Sequence, residues 1–308
     1  MKWKVDGQTI AGGNYYGDKL NQLYYPNGIY VDDEEQCIYI ADAGNHRIVK
    51  WKLDGRSDHG EIVAGGNGQG NRIDQLNDPR DVILDEKKKS LIICDSENRR
   101  VVRWSLQNPN SDKEILIENI ECWGLMMNEN GDLFVSDFRN DAVKRWRKGE
   151  IKKGKEGTIV AGGNGRGDKL SQLNEPTYIF IDREETVYVS DWQNDRVMKW
   201  LKDANEGIVV AGGQGKGKNL NQLYYPMGLV VNEVGDIYVA DCWNNRIMCW
   251  SLGSKEGRVI VGGNGEGQGP SQSNYPICLS FDVENNLYVV DEGNNRIQRF
   301  NVDNKDRN

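Results

Sequence analysis

The sequence predicts an all-β protein: a six-bladed β-propeller of four-stranded antiparallel blades, with an N-terminal strand completing the last blade. Three observations lead there. One pattern recurs six times along 308 residues, anchored at Asp42, Asp95, Asp137, Asp191, Asp241 and Asp291, with spacings of 53, 42, 54, 50 and 50 residues. Each copy contains four short apolar runs separated by Gly, Asn and Asp, which suits strands and turns. The two chain ends are incomplete in complementary ways. A period of this length marks one supersecondary unit per repeat, and radial closure of such units leaves few exposed sheet edges.

The N-terminus comes first. Lys2-Trp3-Lys4-Val5-Asp6-Gly7 repeats Lys50-Trp51-Lys52-Leu53-Asp54-Gly55, which places the start of the chain inside a third strand. Thr9-Ile10-Ala11-Gly12-Gly13 then reads as a fourth strand with no blade of its own. The last unit stops after its third strand at Phe300, so residues 8–13 are expected to clasp the ring shut. The whole chain, 1–308, is read as a single domain.

Within a unit, the first strand follows a proline (28–32, 82–85, 124–128, 179–182, 228–232 and 279–282). The second is the alternating Ile38-Tyr39-Ile40-Ala41-Asp42 and its copies. The third ends on Trp51, Trp104, Trp146, Trp200, Trp250 or Phe300, and the fourth is Ile62-Val63-Ala64 and its copies before Gly-Gly. The repeated Asp is expected to accept backbone N–H bonds at its turn, with the Arg five residues on bridging to it. The first-strand Asp32, Asp85, Asp182 and Asp282 read as turn caps. One pair repeated from unit to unit, in five of the six, serves architecture, not a reaction.

Bulk properties narrow the function classes. The net charge of −8 and pI near 5.1 argue against a protein dominated by binding to phosphate backbones. No apolar run approaches the ~18 residues of a membrane span, and Met1-Lys2-Trp3-Lys4 does not begin a signal peptide. Cys37, Cys94, Cys122, Cys242, Cys249 and Cys278 form no C-x-x-C pair, and Cys94 reads as a small buried residue. A reduced, cytoplasmic setting is expected, the alternative being an extracellular domain of a larger protein.

The runs Leu229-Val230-Val231, Ile237-Tyr238-Val239-Ala240-Asp241 and Asn244-Asn245-Arg246-Ile247 resemble the characteristic run of the NHL repeat. The resemblance covers nearly the whole chain and recurs six times. It implies the propeller fold and leaves function open, because propellers host unrelated activities. NHL propellers include RNA- and protein-binding modules of ubiquitin-ligase proteins, sensor domains of receptor kinases and a metal-dependent amidating lyase. The lyase chemistry needs metal-binding histidines, and His46 and His59 are too few. No cofactor is expected; a carboxylate-bound Ca²⁺ in the central channel is the alternative.

Two glycine loops imitate ligand motifs. Gly212-Gly213-Gln214-Gly215-Lys216-Gly217-Lys218-Asn219 lacks both the Ser/Thr and the helix of a phosphate-binding loop. Gly162-Gly163-Asn164-Gly165-Arg166-Gly167-Asp168 misplaces the Asp of a calcium nonapeptide. Both read as turns.

The third unit departs from the others. Ile117-Glu118-Asn119-Ile120-Glu121-Cys122-Trp123-Gly124 has no Gly-rich loop, and Ala142 stands where the other units carry Arg. The missing loop should open a notch on the face that carries the fourth-to-first and second-to-third strand loops. After the prolines, Asn27, Arg80, Asp81, Trp123, Thr177, Tyr178, Met227, Ile277 and Cys278 are expected at the channel mouth on that face. Phe138, Arg139, Trp192 and Trp243 join them from turns. Aromatic side chains with Arg are the composition of binding hot spots. The expected partner-binding set is therefore Asn27, Arg80, Asp81, Trp123, Phe138, Arg139, Tyr178, Trp192, Met227 and Trp243. Basic and acidic side chains nearly balance there, so the face carries no positive field. The opposite face gathers Arg145, Arg147, Lys148, Lys152, Lys153 and Lys155, with Lys87, Lys88 and Lys89 nearby. The expected function is a non-enzymatic, soluble recognition scaffold for a protein, peptide or small ligand, monomeric as an isolated ring and suited to be the recognition domain of a larger protein. Single-stranded RNA binding and a calcium-dependent hydrolase or lyase at the channel are the alternatives.

Overall fold

Alternating apolar and polar residues broken by turn formers give six four-stranded antiparallel sheets, one per repeat, in a computed structural model that describes residues 2–85, 87, 89–108 and 112–303. Lys88 of the basic cluster lies outside the described residues. In five blades the strands follow chain order. In the sixth, Gln8–Gly12 supplies the outer strand against Arg296–Phe300, as the complementary ends require. The first strands (Pro26–Asp32, Pro79–Leu84, Cys122–Met127, Pro176–Ile181, Pro226–Val231 and Pro276–Phe281) touch their neighbours all the way round, the last against the first. They begin earlier than the sequence suggested, because a bulge just after the leading residue lets the Pro or Cys pair with the anchoring Asp.

The core lies between blades. The third-strand rings Trp51, Trp104, Trp146, Trp200, Trp250 and Phe300 are all buried there. Trp3 requires a correction: it does not begin a third strand but makes a single bridge to Val302, packing against Tyr238 and Phe281.

In five blades the repeated polar residues knit the blade to its Gly-rich loop. Asp241 accepts the Tyr224 N–H at 2.7 Å and the Arg246 Nε–H at 2.6 Å. The rest of the Arg246 guanidinium donates to the carbonyls of Lys218, Asn219 and Gln222 in that loop. Arg47, Arg100, Arg196 and Arg296 repeat this arrangement. Burial pushes the Asp241 carboxyl upward while Arg246 opposes it.

The third blade now makes sense as one change. Without a loop, an Arg at position 142 would have no carbonyls to meet. Lys144 instead donates to Asp137 Oδ2 at 2.8 Å, and Asp137 Oδ1 keeps no partner. Elsewhere the last residue of each second-to-third turn sits at positive φ and accepts a backbone N–H from the next blade: His46 from Asp78, Asp195 from Tyr225, Asn245 from Tyr275. At the seam between blades two and three, Arg99 offers no side-chain acceptor. A disulfide joins Cys94 to Cys122 there, with Cα atoms 5.7 Å apart. Cys94 is therefore not a free small residue, contrary to its sequence reading; its partner stands where the other units have Pro.

Candidate functional site

The ring axis is set by the third residue of each first strand: Gly28, Asp81, Gly124, Tyr178, Gly228 and Cys278. Glycine alternates with a side chain because six side chains cannot meet on one axis. A Cβ on Gly28 would lie 2.8 Å from Asp81 Cα, and one on Gly228 2.7 Å from Cys278 Cα. Asp81, Tyr178 and Cys278 converge in the space this leaves. Asp81 accepts the N–H groups of Val82 at 2.9 Å and Leu125 at 2.8 Å. Tyr178 donates its hydroxyl to Asn27 Oδ1 at 3.0 Å. Burial pushes the Asp81 carboxyl up to about 7 and the Tyr178 phenol well above its ordinary range. Burial, with the Asp81 charge adding, takes the Cys278 thiol to about 12, which leaves it no nucleophile at neutral pH.

These residues divide the expected set. Asn27, Asp81, Tyr178 and Met227, expected at the channel mouth, are buried and close the channel from the long-loop face. Arg80 reaches that face, pairs with Asp78, and lies 4.4 Å above the Trp123 ring. From there an unbroken series of rings follows the ring of blades. Trp123 stacks on Phe138 at 5.0 Å, Phe138 meets Trp192 at 6.2 Å, and Trp192 meets Tyr225 at 4.7 Å. Tyr225 meets Trp243 at 5.3 Å and Trp243 meets Tyr275 at 5.5 Å. Trp123 and Phe138 stack beside the short connection that replaces the missing loop. Arg139 stands off the series, exposed and 3.9 Å from Glu121.

Tyr225 and Tyr275 bridge gaps that sequence reasoning left open, and Tyr224 packs beside them with Lys216 4.3 Å over its ring. The signal was present as Leu223-Tyr224-Tyr225-Pro226 and Asn274-Tyr275-Pro276. Tyr25, Tyr225 and Tyr275 all have positive φ (46°, 53° and 51°), a costly conformation for a bulky residue. Each is held by its inter-blade N–H bond, so the ring projects onto the face. Trp243 and Tyr25 remain 46% and 49% exposed.

On the opposite face, Arg145 is paired with Asp132 and Glu185, and Lys153 with Glu118, which reduces the basic cluster's field. Among the described residues, no three His, Cys, Asp or Glu side chains come together as a metal set. Among the described residues Asp81 is the carboxylate beside Tyr178 and Cys278 at the axis, whereas Ca²⁺ takes six to eight oxygens. Among the described residues, no helix is long and apolar enough to cross a membrane.

The NHL repeat model matches residues 23–51, 223–250 and 274–300. A prolyl endopeptidase of Elizabethkingia meningoseptica is 27% identical over 133 residues, 41% of this chain; the match spans only 17% of that enzyme. An auxiliary nutrient binding protein from Bacteroides thetaiotaomicron superposes with a TM-score of 0.73 at 15% identity, covering 96% of this chain and 75% of that one. A gluconolactonase from Xanthomonas campestris gives 0.64 at 12% identity, covering 92% and 87%. At such identities the likeness concerns the fold alone.

Proposed function

We propose that this chain, a six-bladed propeller of the NHL-repeat family, is a non-enzymatic recognition scaffold that docks a peptide or protein segment on its long-loop face. The observation that carries the reading is the continuous aromatic series from Trp123 to Tyr275, ended by Arg80. Rings held against one another lose little further freedom on binding, and a protruding Trp beside Tyr and Arg supplies the buried contacts that dominate interfaces. The nutrient-binding and enzymatic propellers of similar shape are compatible with a recognition role and do not specify the ligand.

Peptides selected by display on the intact ring provide the test. They should bind the Trp192→Ala/Trp243→Ala variant at least ~30-fold more weakly, at the scale of two hot-spot residues, while its melting temperature stays close to that of the parent. Selected peptides that bind both proteins equally would refute the site. Lys216 over Tyr224 favours single-stranded RNA as the second reading, since bases stack on the same kind of ring. A steep loss of affinity with salt would identify it.

A further inference from the structure

The channel is closed on the long-loop face but open on the other. Behind Asp81, Tyr178 and Cys278 lies a well of about 720 Å³, walled by first-strand residues including Ile29, Leu125, Ile179, Leu229, Leu279 and Phe281. Its mouth lies among the turns that join the first and second strands, where Asp85, Asn128 and Glu129 line it. The volume suits a drug-sized molecule, and the lining is mostly apolar with one polar end.

The chemistry of that end is specific. Asp81 is 5% exposed and, among the described residues, forms no ion pair; its nearest cationic neighbour in sequence, Arg80, is engaged with Asp78 and Trp123. Its two backbone N–H bonds leave carboxylate lone pairs without a partner. A carboxylate in such surroundings is costly until a cation joins it. The approach to the well carries matching charge. Glu35, Glu129, Glu184, Glu233 and Glu284 stand in the first-to-second turns of five blades, and all are exposed. Arg183 is the cation among those five turns, set between Glu129 and Glu233, while the blade-two turn holds Lys87 and Lys89. Carboxylates in five of the six turns around the mouth raise the local concentration of cations on that side of it, away from the lysines of blade two. An apolar wall with Phe281 and Tyr178 rejects a bare hydrated ion and accepts a ring.

We propose that the axial well is a second binding site, opening on the face opposite the aromatic series, for an organic monoammonium compound with an apolar or aromatic body whose amine meets the Asp81 carboxylate.

Tryptamine and its alcohol analogue tryptophol differ mainly in that amine and make a direct probe. Titration calorimetry on the intact protein at pH 8 should show tryptamine binding one-to-one and tryptophol at least ~10-fold more weakly, at the scale of a charge-assisted hydrogen bond. Asp81→Asn should remove the preference, and Leu229→Phe, which narrows the well below its end, should weaken both compounds. The wild-type comparison needs no variant to fold. Equal affinity for the two compounds in the wild type overturns the proposal, as does the absence of tryptamine binding at ~10 mM, or an undiminished preference in folded Asp81→Asn protein. The Trp192→Ala/Trp243→Ala ring should keep its tryptamine affinity, so failure of the loop-face reading and failure of this one give different results.

Discussion

Replacing Asp81 with asparagine should stabilise the ring in alkali and destabilise it in acid. The wild-type carboxyl rises from an ordinary 3.8 to about 7 on folding, so the folded state holds its proton more tightly than the unfolded chain. Stability from this group is present in acid, declines as pH climbs from about 4 to about 7, and stays lost above that. At ~1.4 kcal/mol per pH unit, the ionised carboxylate lowers stability by about 4 kcal/mol at pH 8, about 3 at pH 6 and less than 1 at pH 4. Asparagine carries no charge at any of these values. It has a different fault: one end of its amide is a donor, yet both ends of Asp81 accept backbone N–H groups, from Val82 and Leu125. Leaving one of those buried donors unmatched costs about 1–3 kcal/mol. The variant should therefore be more stable than the parent by about 1–3 kcal/mol at pH 8, a gain that shrinks through pH 6 and reverses toward pH 4. Urea denaturation of both proteins at several pH values reads the difference directly, since every other titrating group cancels between them. A difference that does not change with pH would mean that the carboxyl keeps its hydration in the folded ring, against the desolvation that its burial at the axis implies.

Other perturbations address the ring itself. Deleting residues 1–13 removes the outer strand of blade six and buried Trp3; at about 3–5 kcal/mol for the Trp alone, melting should fall by about 10 °C or more. Removing 303–308, of which 304–308 lie outside the described residues, should have little effect, and equal melting temperatures would sink the closure. Cys122→Ser should cost about 3–4 kcal/mol for a cross-link closing a 28-residue separation. A reductant should lower wild-type stability but not that of the variant. Arg246→Ala strips the bridge from Asp241 to the loop at residues 213–222, leaving a buried carboxylate unpaired. A loss of about 3–5 kcal/mol, with faster proteolysis inside that loop, is expected. Lys144→Ala in blade three, where no loop depends on the side chain, should leave every loop's proteolysis rate unchanged.

The division between sequence and tertiary structure is sharp here. Strands, turns, and the pairing of Asp241 with Arg246 and its copies were legible because they are local: each rests on alternation, on turn formers, or on partners five residues apart. The blade count and the N-terminal clasp were legible for another reason, because the repeat can be counted and its two incomplete ends complement each other. The loop-face aromatics were legible as unusual turn residues, although Tyr225 and Tyr275 were hidden by their likeness to ordinary loop positions. The unusual third unit was also visible, but why Arg and loop vanish together required seeing that one supplies donors and the other acceptors.

What the ring alone decided is the meeting of residues far apart in sequence. Asp81, Tyr178 and Cys278 come from alternate blades, and Cys94 finds Cys122 across a blade seam. Asn27, Asp81, Tyr178 and Met227, placed at the channel mouth by the sequence, prove buried once the blades meet. No sequence periodicity reports which positions point at an axis. That depends on blade tilt and on how many side chains the closed ring can admit there, and at this axis the answer is three, with glycine in between.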